Sequence, residues 1–468
     1  MKASCPNASR TADKPAPITS SRRSLEDTRR RRQAMKDAAL ERAESSGSAR
    51  WIRITLVIFL MYTISYFDRT NIGLALPLIR RDLGMDATHA GLVGGIFFWG
   101  YVITFLAGGW LVSRFGARKV VLVCLICWGA AAMATGLVRT MNELMAVRLV
   151  LGVAEGPVWA SASSLTASWF TRRERGKAFG FWTVSSPLGA LLAGPISGFL
   201  LAHHDWRAMM IIEGLPAWIW AVVWWSSIPK NITAAKWLTN EQKAGLSRVL
   251  ADEQAEFVDV SSQSGIRRVL GLKATWFLGF GFAMINLVVY GFMLWLPSSI
   301  AAAAPNLGSV EVGLLSACPW AACIVGILVA TRSSDARQER RLHAGVPIIL
   351  ASVLLLAAAN VPATSLVLRM SLFTAMGFFL EMFLPLIFTY VTELLSAADA
   401  IVATAVIGAF GNLVGGFVGP TLVGMLAGKG SDFQYPFSVL ACFGALGGVL
   451  ILCARPHREV AAEVLATR

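Results

Sequence analysis

The sequence predicts an all-α membrane protein with twelve transmembrane helices arranged as two six-helix bundles. Two observations carry this prediction. Of the 468 residues, 55% are hydrophobic and only 15% are charged, a balance that ordinary soluble domains do not show. Apolar runs of roughly 20 residues, the length that spans a bilayer, recur about twelve times along the chain. These runs are expected to begin near residues 52, 89, 118, 143, 178, 207, 275, 309, 344, 363, 400 and 434.

The longest internal polar stretch, residues 229–274, separates the sixth run from the seventh. We therefore expect an N-terminal bundle over 51–228, a central cytoplasmic loop over 229–274 and a C-terminal bundle over 275–454. Part of the loop, residues 239–250, has a capping threonine and helical patterning, which favours a surface linker helix. Two such halves can rock about a ligand site near the membrane midplane.

Both ends of the chain are polar. Residues 1–50 are rich in Ser and Arg and lack hydrophobic periodicity, so we expect a disordered tail with little role in the fold. Residues 455–468 are expected to form a second short tail. A cleavable signal peptide does not fit, because the first apolar run begins too late. Either Met1 or Met35 fits as the start of translation.

The net charge of +14 is explained by topology, and nucleic-acid binding is not expected. Basic residues follow the second, fourth and eighth runs, whereas the loops after the seventh and ninth runs carry no Lys or Arg. Because cytoplasmic loops carry the excess of Lys and Arg, both termini are predicted to be cytoplasmic, in a bacterial-type inner membrane. The basic residues in question are Arg114, Arg118, Lys119, Arg172, Arg173, Arg175, Lys177, Arg332, Arg337, Arg340 and Arg341.

Charged residues inside the runs indicate a functional site. Asp68 and Arg69 are adjacent in the first run, where each charge costs at least roughly 2.5–3.5 kcal/mol unless a cavity or partner compensates it. Arg148 and Glu155 lie seven residues apart in the fourth run and therefore share a helix face. The planar guanidinium of arginine suits bidentate recognition of a carboxylate. The alternative is a set of structural ion pairs that only fixes helix packing.

Several further residues at membrane depth have more than one interpretation. Glu381 is interpreted as a second protonation site, a substrate-specific contact, or the partner of Arg369. Tyr290 and Trp295 are candidates for a cavity wall, although aromatic residues in spans more often serve packing. The C-x-x-C of Cys124 and Cys127 has no nearby His and favours apolar packing, so neither a metal nor a disulfide is predicted.

Several motifs resemble those of the major facilitator superfamily and, within it, the anion:cation symporter family, which includes bacterial sugar-acid and tartrate permeases and the vesicular glutamate and sialic acid transporters. The resemblance covers residues 52–455. The motifs are the loop over 109–119, Tyr-Phe-Asp-Arg-Thr-Asn-Ile at 66–72, Arg-Leu-Val-Leu-Gly-Val-Ala-Glu-Gly at 148–156, Ile-Glu-Gly-Leu-Pro at 212–216 and the glycine-rich segment 411–420.

The resemblance implies the two-bundle fold of that superfamily and roles for individual residues. Arg69 and Arg148 would meet an anionic substrate, and Asp68 and Glu155 would take part in proton coupling. It also implies cavity-lining or polar substrate contacts from Tyr66, Tyr101, Ser185, Ser186 and Asn412.

The leading hypothesis is a proton-coupled importer of a small organic anion such as a sugar acid, dicarboxylate, aromatic carboxylate or sulfonate. It would work by alternating access, as a monomer, driven by the proton gradient and without a cofactor. The alternative is a proton-coupled efflux antiporter, motivated by the Gly-Pro-containing segment 189–198. A membrane-embedded enzyme or receptor is a remote alternative, because the five histidines, at positions 89, 203, 204, 343 and 457, lie in loops or near the ends of spans.

Overall fold

The computed structural model describes residues 47–261, 265–362, 364–395, 397–428 and 432–454. Within this part of the chain, 12 helices are long and apolar enough to cross a membrane, which confirms the predicted number and order of spans. The spans are α1 (Gly47–Asp82), α2 (Ala87–Phe115), α3 (Ala117–Thr135), α4 (Met141–Trp169), α5 (Arg172–His203), α6 (Trp206–Ser227), α7 (Lys273–Ala303), α8 (Ser309–Arg337), α9 (Arg341–Asn360), α10 (Leu366–Leu394), α11 (Val402–Ala427) and α12 (Gln434–Cys453).

The predicted tails, 1–50 and 455–468, lie outside the described residues except for positions 47–50, which already belong to α1. Arg50 is fully buried. Its Nη1 and Nη2 atoms donate to the two carboxylate oxygens of Glu174, each at 2.8 Å, and Nη1 also donates to the Trp169 carbonyl at 2.8 Å. The first bundle therefore starts four residues before the predicted boundary. Polarity alone does not reveal that a charged residue has a buried partner.

Among the spans built from two helices, α4 and α10 are interrupted at matching places, while α5 consists of Arg172–Thr183 and Ser185–His203. The span α4 consists of the helices Met141–Glu155 and Val158–Trp169, and α10 consists of Leu366–Leu380 and Leu384–Leu394. Each is the fourth span of its half. The predicted linker contains a helix over Asn240–Ser261.

The backbones of the two halves approach each other closely on one side of the bundle. Because the number of spans is even, α1 begins and α12 ends on the same side, here called the termini side, and the opposite side is called the far side. Close contacts join α5 to α8 and α2 to α11 on the far side. A β-carbon on Gly194 would collide with the Gly313 carbonyl, and one on Gly95 would lie 2.7 Å from the Phe417 carbonyl oxygen. Small residues thus let the backbones touch and seal the far side.

Candidate functional site

A cavity of about 390 Å³ lies between the two halves. Its wall reaches Gly109 in α2 and Thr404 in α11, toward the termini side. The volume lies within the range of pockets that hold small molecules. Among the described residues, the charged side chains on its wall are those of Arg69 and Glu381.

Arg69 is held at this wall by Glu155. Its Nε and Nη2 atoms lie 2.8 and 2.7 Å from Glu155 Oε2, and the Ser65 hydroxyl donates to the same oxygen at 2.7 Å. Glu155 is fully buried at the end of the first α4 helix. Its second oxygen, Oε1, has no hydrogen-bond partner among the described residues. Arg69 and Ser65 therefore donate to the same oxygen of the Glu155 carboxylate. The Arg69 side chain also lines the cavity.

Aromatic rings surround the Arg69 guanidinium. The ring centroids of Tyr66, Tyr101 and Phe97 lie 4.9, 4.8 and 5.1 Å from its Cζ atom. Such contacts stabilise a cation where water is scarce. Tyr66 and Tyr101 also line the cavity. The arginine is consequently oriented before any substrate arrives.

Arg148 and Asp68 lie behind this wall. Arg148 borders a small adjoining space together with Arg69, and its Nε atom has no hydrogen-bond partner within the described ranges. Asp68 accepts a hydrogen bond of 2.5 Å from the indole Nε1 of Trp128. Glu155 thus pairs with Arg69 of α1 and not with the arginine on its own helix face. The shared face predicted for Arg148 and Glu155 did not specify whether a second helix would bring another arginine closer to Glu155.

The adjacent serines of α5 have different positions. Ser186 lies on the cavity wall and donates to Glu381 Oε1 at 3.2 Å. Ser185 is turned into its own helix and donates to the Trp182 carbonyl at 2.5 Å. The structure thus brings Ser186, but not Ser185, to the cavity, because neighbouring helical residues point about 100° apart.

Glu381 lies at the interruption of α10 and is 2% exposed. The proposed pairing with Arg369 is wrong, because the Arg369 guanidinium donates to the Val361 carbonyl and Glu381 has Ser186 as its hydrogen-bond donor. The contact joins α5 of one half to α10 of the other. Glu381 is therefore a cavity residue at the interface of the two halves.

The C-terminal half also supplies Tyr290 and Asn412. The Tyr290 hydroxyl donates to Asn412 Oδ1 at 3.1 Å, and Asn412 Nδ2 donates to the Gly408 carbonyl at 2.9 Å. All three residues line the cavity. Trp295 instead donates to the Pro420 carbonyl at 2.9 Å and lies away from the wall.

Three polar residues of the site were not predicted from the sequence: Ser65, Trp128 and Asn286. Ser65 lies one helical turn before Arg69, a spacing that could have indicated it. Trp128 carries no local signal for its bond to Asp68, because the contact joins α3 to α1. Asn286 on the cavity wall is a single amide in an apolar run, and its Nδ2 atom lacks a partner in the described part of the chain.

Glu213 in α6 is buried away from the cavity. Its two oxygens accept hydrogen bonds from Ser197 at 2.6 Å and Asn71 at 3.0 Å. Both donors are neutral, and none of the three residues lines the large cavity. This acid joins α1, α5 and α6 within one half.

Comparison with known proteins agrees with this architecture. The family model described as Major Facilitator Superfamily matches residues 58–374 and 298–467. A quinolone resistance transporter of Acinetobacter baumannii is 30% identical over 83% of this chain and 91% of that protein. A putative tartrate transporter of Agrobacterium vitis is 30% identical over 86% and 89%. The inward-open xylose transporter XylE of E. coli has the same fold, with a TM-score of 0.69 at 17% identity, covering 88% of this chain and 99% of that one. The chain therefore belongs to the Major Facilitator Superfamily, as a permease of the anion:cation symporter type and not an enzyme.

Proposed function

We propose that this protein imports a small organic anion together with protons by alternating access. The observation that carries the proposal is the Arg69–Glu155 ion pair at the cavity wall. A substrate carboxylate entering the cavity competes with Glu155 for the same guanidinium. The proposal therefore assigns substrate binding and coupling to one contact.

Charge balance gives the reason for coupling to protons. Arg69 and Arg148 carry two positive charges, and Asp68 and Glu155 carry two negative charges when both are ionised. An arriving anion adds a third negative charge in a buried site, where an uncompensated charge is expensive. Protonation of Glu155 restores neutrality and releases Arg69 to the substrate. Release of substrate and proton then returns Glu155 to Arg69.

Asp68 and Arg148 have a supporting role in this scheme. Arg148 borders the space next to Arg69, so a substrate with a second acidic group reaches it by displacing the intervening side chains. Asp68 is held by Trp128 and lies beside Arg69 in sequence. We assign to Asp68 a second proton-binding position close to the same cations.

The basic loops support a proposal for the orientation of the protein in the membrane. Those after α2, α4 and α8 all lie on the termini side, so the positive-inside rule makes this side cytoplasmic. The cavity then faces the cytoplasm and the sealed far side faces outward. We propose a bacterial-type inner membrane and a functional monomer, because the cavity is built within one chain.

Uptake into proteoliposomes tests the function. The purified protein is reconstituted and offered a panel of labelled organic acids, including tartrate, a hexuronate, benzoate and a sulfonate, with and without an inwardly directed proton gradient. The proposal expects one class of acid to accumulate only with the gradient. Accumulation that is insensitive to the proton gradient and its uncouplers would contradict proton coupling.

Efflux is the second candidate, favoured by the similarity to a protein named as a quinolone resistance transporter. In this chain the Gly-Pro-containing segment of α5 places Gly194 against Gly313 of α8, a contact that either direction of transport can use. The same proteoliposomes discriminate the two. Exchange of internal protons for external substrate, with the gradient reversed, would indicate antiport.

A further inference from the structure

The cavity wall carries one charge of each sign. Arg69 belongs to α1 in the N-terminal half, and Glu381 belongs to α10 in the C-terminal half. No other Lys, Arg, His, Asp or Glu lines this cavity within the described ranges. A simple anion complements only the positive end of such a wall.

Glu381 has no cation of its own. Within the described residues, no Lys, Arg or His forms an ion pair with it, and the neighbours that can donate to it are neutral: the Ser186 hydroxyl at 3.2 Å and the nearby Cys323 thiol. Its Oε2 atom has no partner there, although the residue is 2% exposed. Glu155, the other buried acid near the cavity, has Arg69 at 2.7 Å. A buried carboxylate without a cation is costly unless it is protonated or a cation comes to it.

We propose that Glu381 binds a protonated amine of the substrate, so that the transported acid is a zwitterion whose carboxylate meets Arg69 and whose ammonium meets Glu381. The inference rests on the proposed function, because it uses the same cavity and the same arginine. Tyr66 contacts the Arg69 guanidinium, and Tyr66, Ser186 and Glu381 all line the same cavity. The ammonium donates to the Glu381 carboxylate, and Ser186 keeps its hydrogen bond to Oε1.

A zwitterion also fits the charge balance of the cavity. Its carboxylate requires protonation of Glu155, as proposed above, and its ammonium pairs with ionised Glu381. In this loaded cavity the charges of Arg69 and Arg148 balance those of Asp68 and Glu381. The substrate ammonium would pair with Glu381 of the C-terminal half, while the substrate carboxylate is held by Arg69 of the N-terminal half. Such a ligand bridges the two halves, which is what a transported substrate must do to couple binding to their rocking.

Matched ligand pairs test this inference. Binding to the purified full-length protein is measured by isothermal calorimetry for benzoate and 4-(aminomethyl)benzoate, and for succinate and aspartate. The wild-type protein should bind the amine-bearing member of at least one pair about tenfold more tightly, the factor expected for a hydrogen bond to a charged group. Glu381→Gln should bring both members to within about twofold of each other while leaving the affinity for the plain acid unchanged.

Glu213→Gln is the matched control, because it neutralises another buried glutamate that lies off the cavity. It should keep the tenfold preference. Retained binding of the plain acid by Glu381→Gln shows that this variant is folded.

Three results would count against the inference. Equal affinity of the wild-type protein for both members of every pair overturns it and leaves the proposed function intact. An equal loss for both members in Glu381→Gln overturns it in favour of a protonation site. If the wild-type protein binds none of the four acids, anion recognition at Arg69 fails and the inference fails with it.

Discussion

Glu155 and Glu381 occupy corresponding places in the two halves of the molecule. Glu155 is the last residue of the first helix of α4, and Glu381 directly follows the first helix of α10. Both carboxylates are buried beside the central cavity, yet Glu155 contacts an arginine and Glu381 a serine. The repeated fold therefore carries one acid per half at the same interruption, with different partners and, in our proposals, different tasks.

Arg69→Lys should abolish most substrate binding although it keeps the charge. An ammonium cannot reproduce the two donors that the guanidinium presents, and the three aromatic rings are spaced for a planar group. We expect an affinity loss of at least about tenfold in calorimetry or thermal-shift titration. Arg81→Lys, an exposed arginine at the end of the same helix, should bind normally. Normal binding by Arg69→Lys would support a purely structural ion pair.

Glu155→Gln should separate exchange from accumulation. The amide mimics the protonated acid, so Arg69 stays available and substrate exchange across proteoliposomes should persist. The variant cannot release a proton, so uptake against a concentration gradient should be lost. Glu213→Gln, also buried but away from the cavity, should accumulate substrate like the parent. If Glu155→Gln concentrated substrate, coupling would be reassigned first to Asp68 and then to Glu381.

Gly194→Ala should weaken the far-side seal. The added methyl group would collide with the Gly313 backbone, and overpacking of this kind typically costs about 1–3 kcal/mol. The sealed state should lose population, which pulse dipolar spectroscopy would detect as a longer distance between labels at His89 and Asn306. Gly180→Ala is the control, since nothing lies within 4 Å of its added β-carbon. An unchanged distance in Gly194→Ala would mean that α5 and α8 do not govern the seal.

Arg50→Ala should lower the stability of the protein, whereas removal of residues 1–34 should not. Loss of the guanidinium leaves Glu174 without its bidentate partner, and breaking such a pair costs about 3–5 kcal/mol when both groups are fully buried. Glu174 is 19% exposed, so we expect a smaller loss, of about 1–3 kcal/mol. Thermal unfolding of both proteins and of Arg53→Ala, an exposed neighbour, would measure the difference. A large loss of folded protein on deleting 1–34 would contradict the prediction.

The spans and the polar positions within them were predictable because each depends on local composition. Hydropathy determines where a helix crosses the bilayer, and a charge inside a span stands out whatever its partner is. The pairing of Glu155 with Arg69 was not predictable in the same way. It depends on how α1 and α4 are rotated and displaced relative to each other, which a shared face on a single helix does not specify.

The sequence by itself determined the twelve spans, the division into two halves, and the presence of Asp68, Arg69, Arg148 and Glu155 at membrane depth, because the cost of burying polar groups in lipid acts on every residue separately. Only the tertiary structure decided that Ser186 and not Ser185 faces the cavity, and that Glu381 meets Ser186 and not Arg369. These outcomes depend on the packing of α5 against α10. A rotation of one residue along a helix turns a side chain by about 100°, enough to exchange a cavity wall for a helix interior.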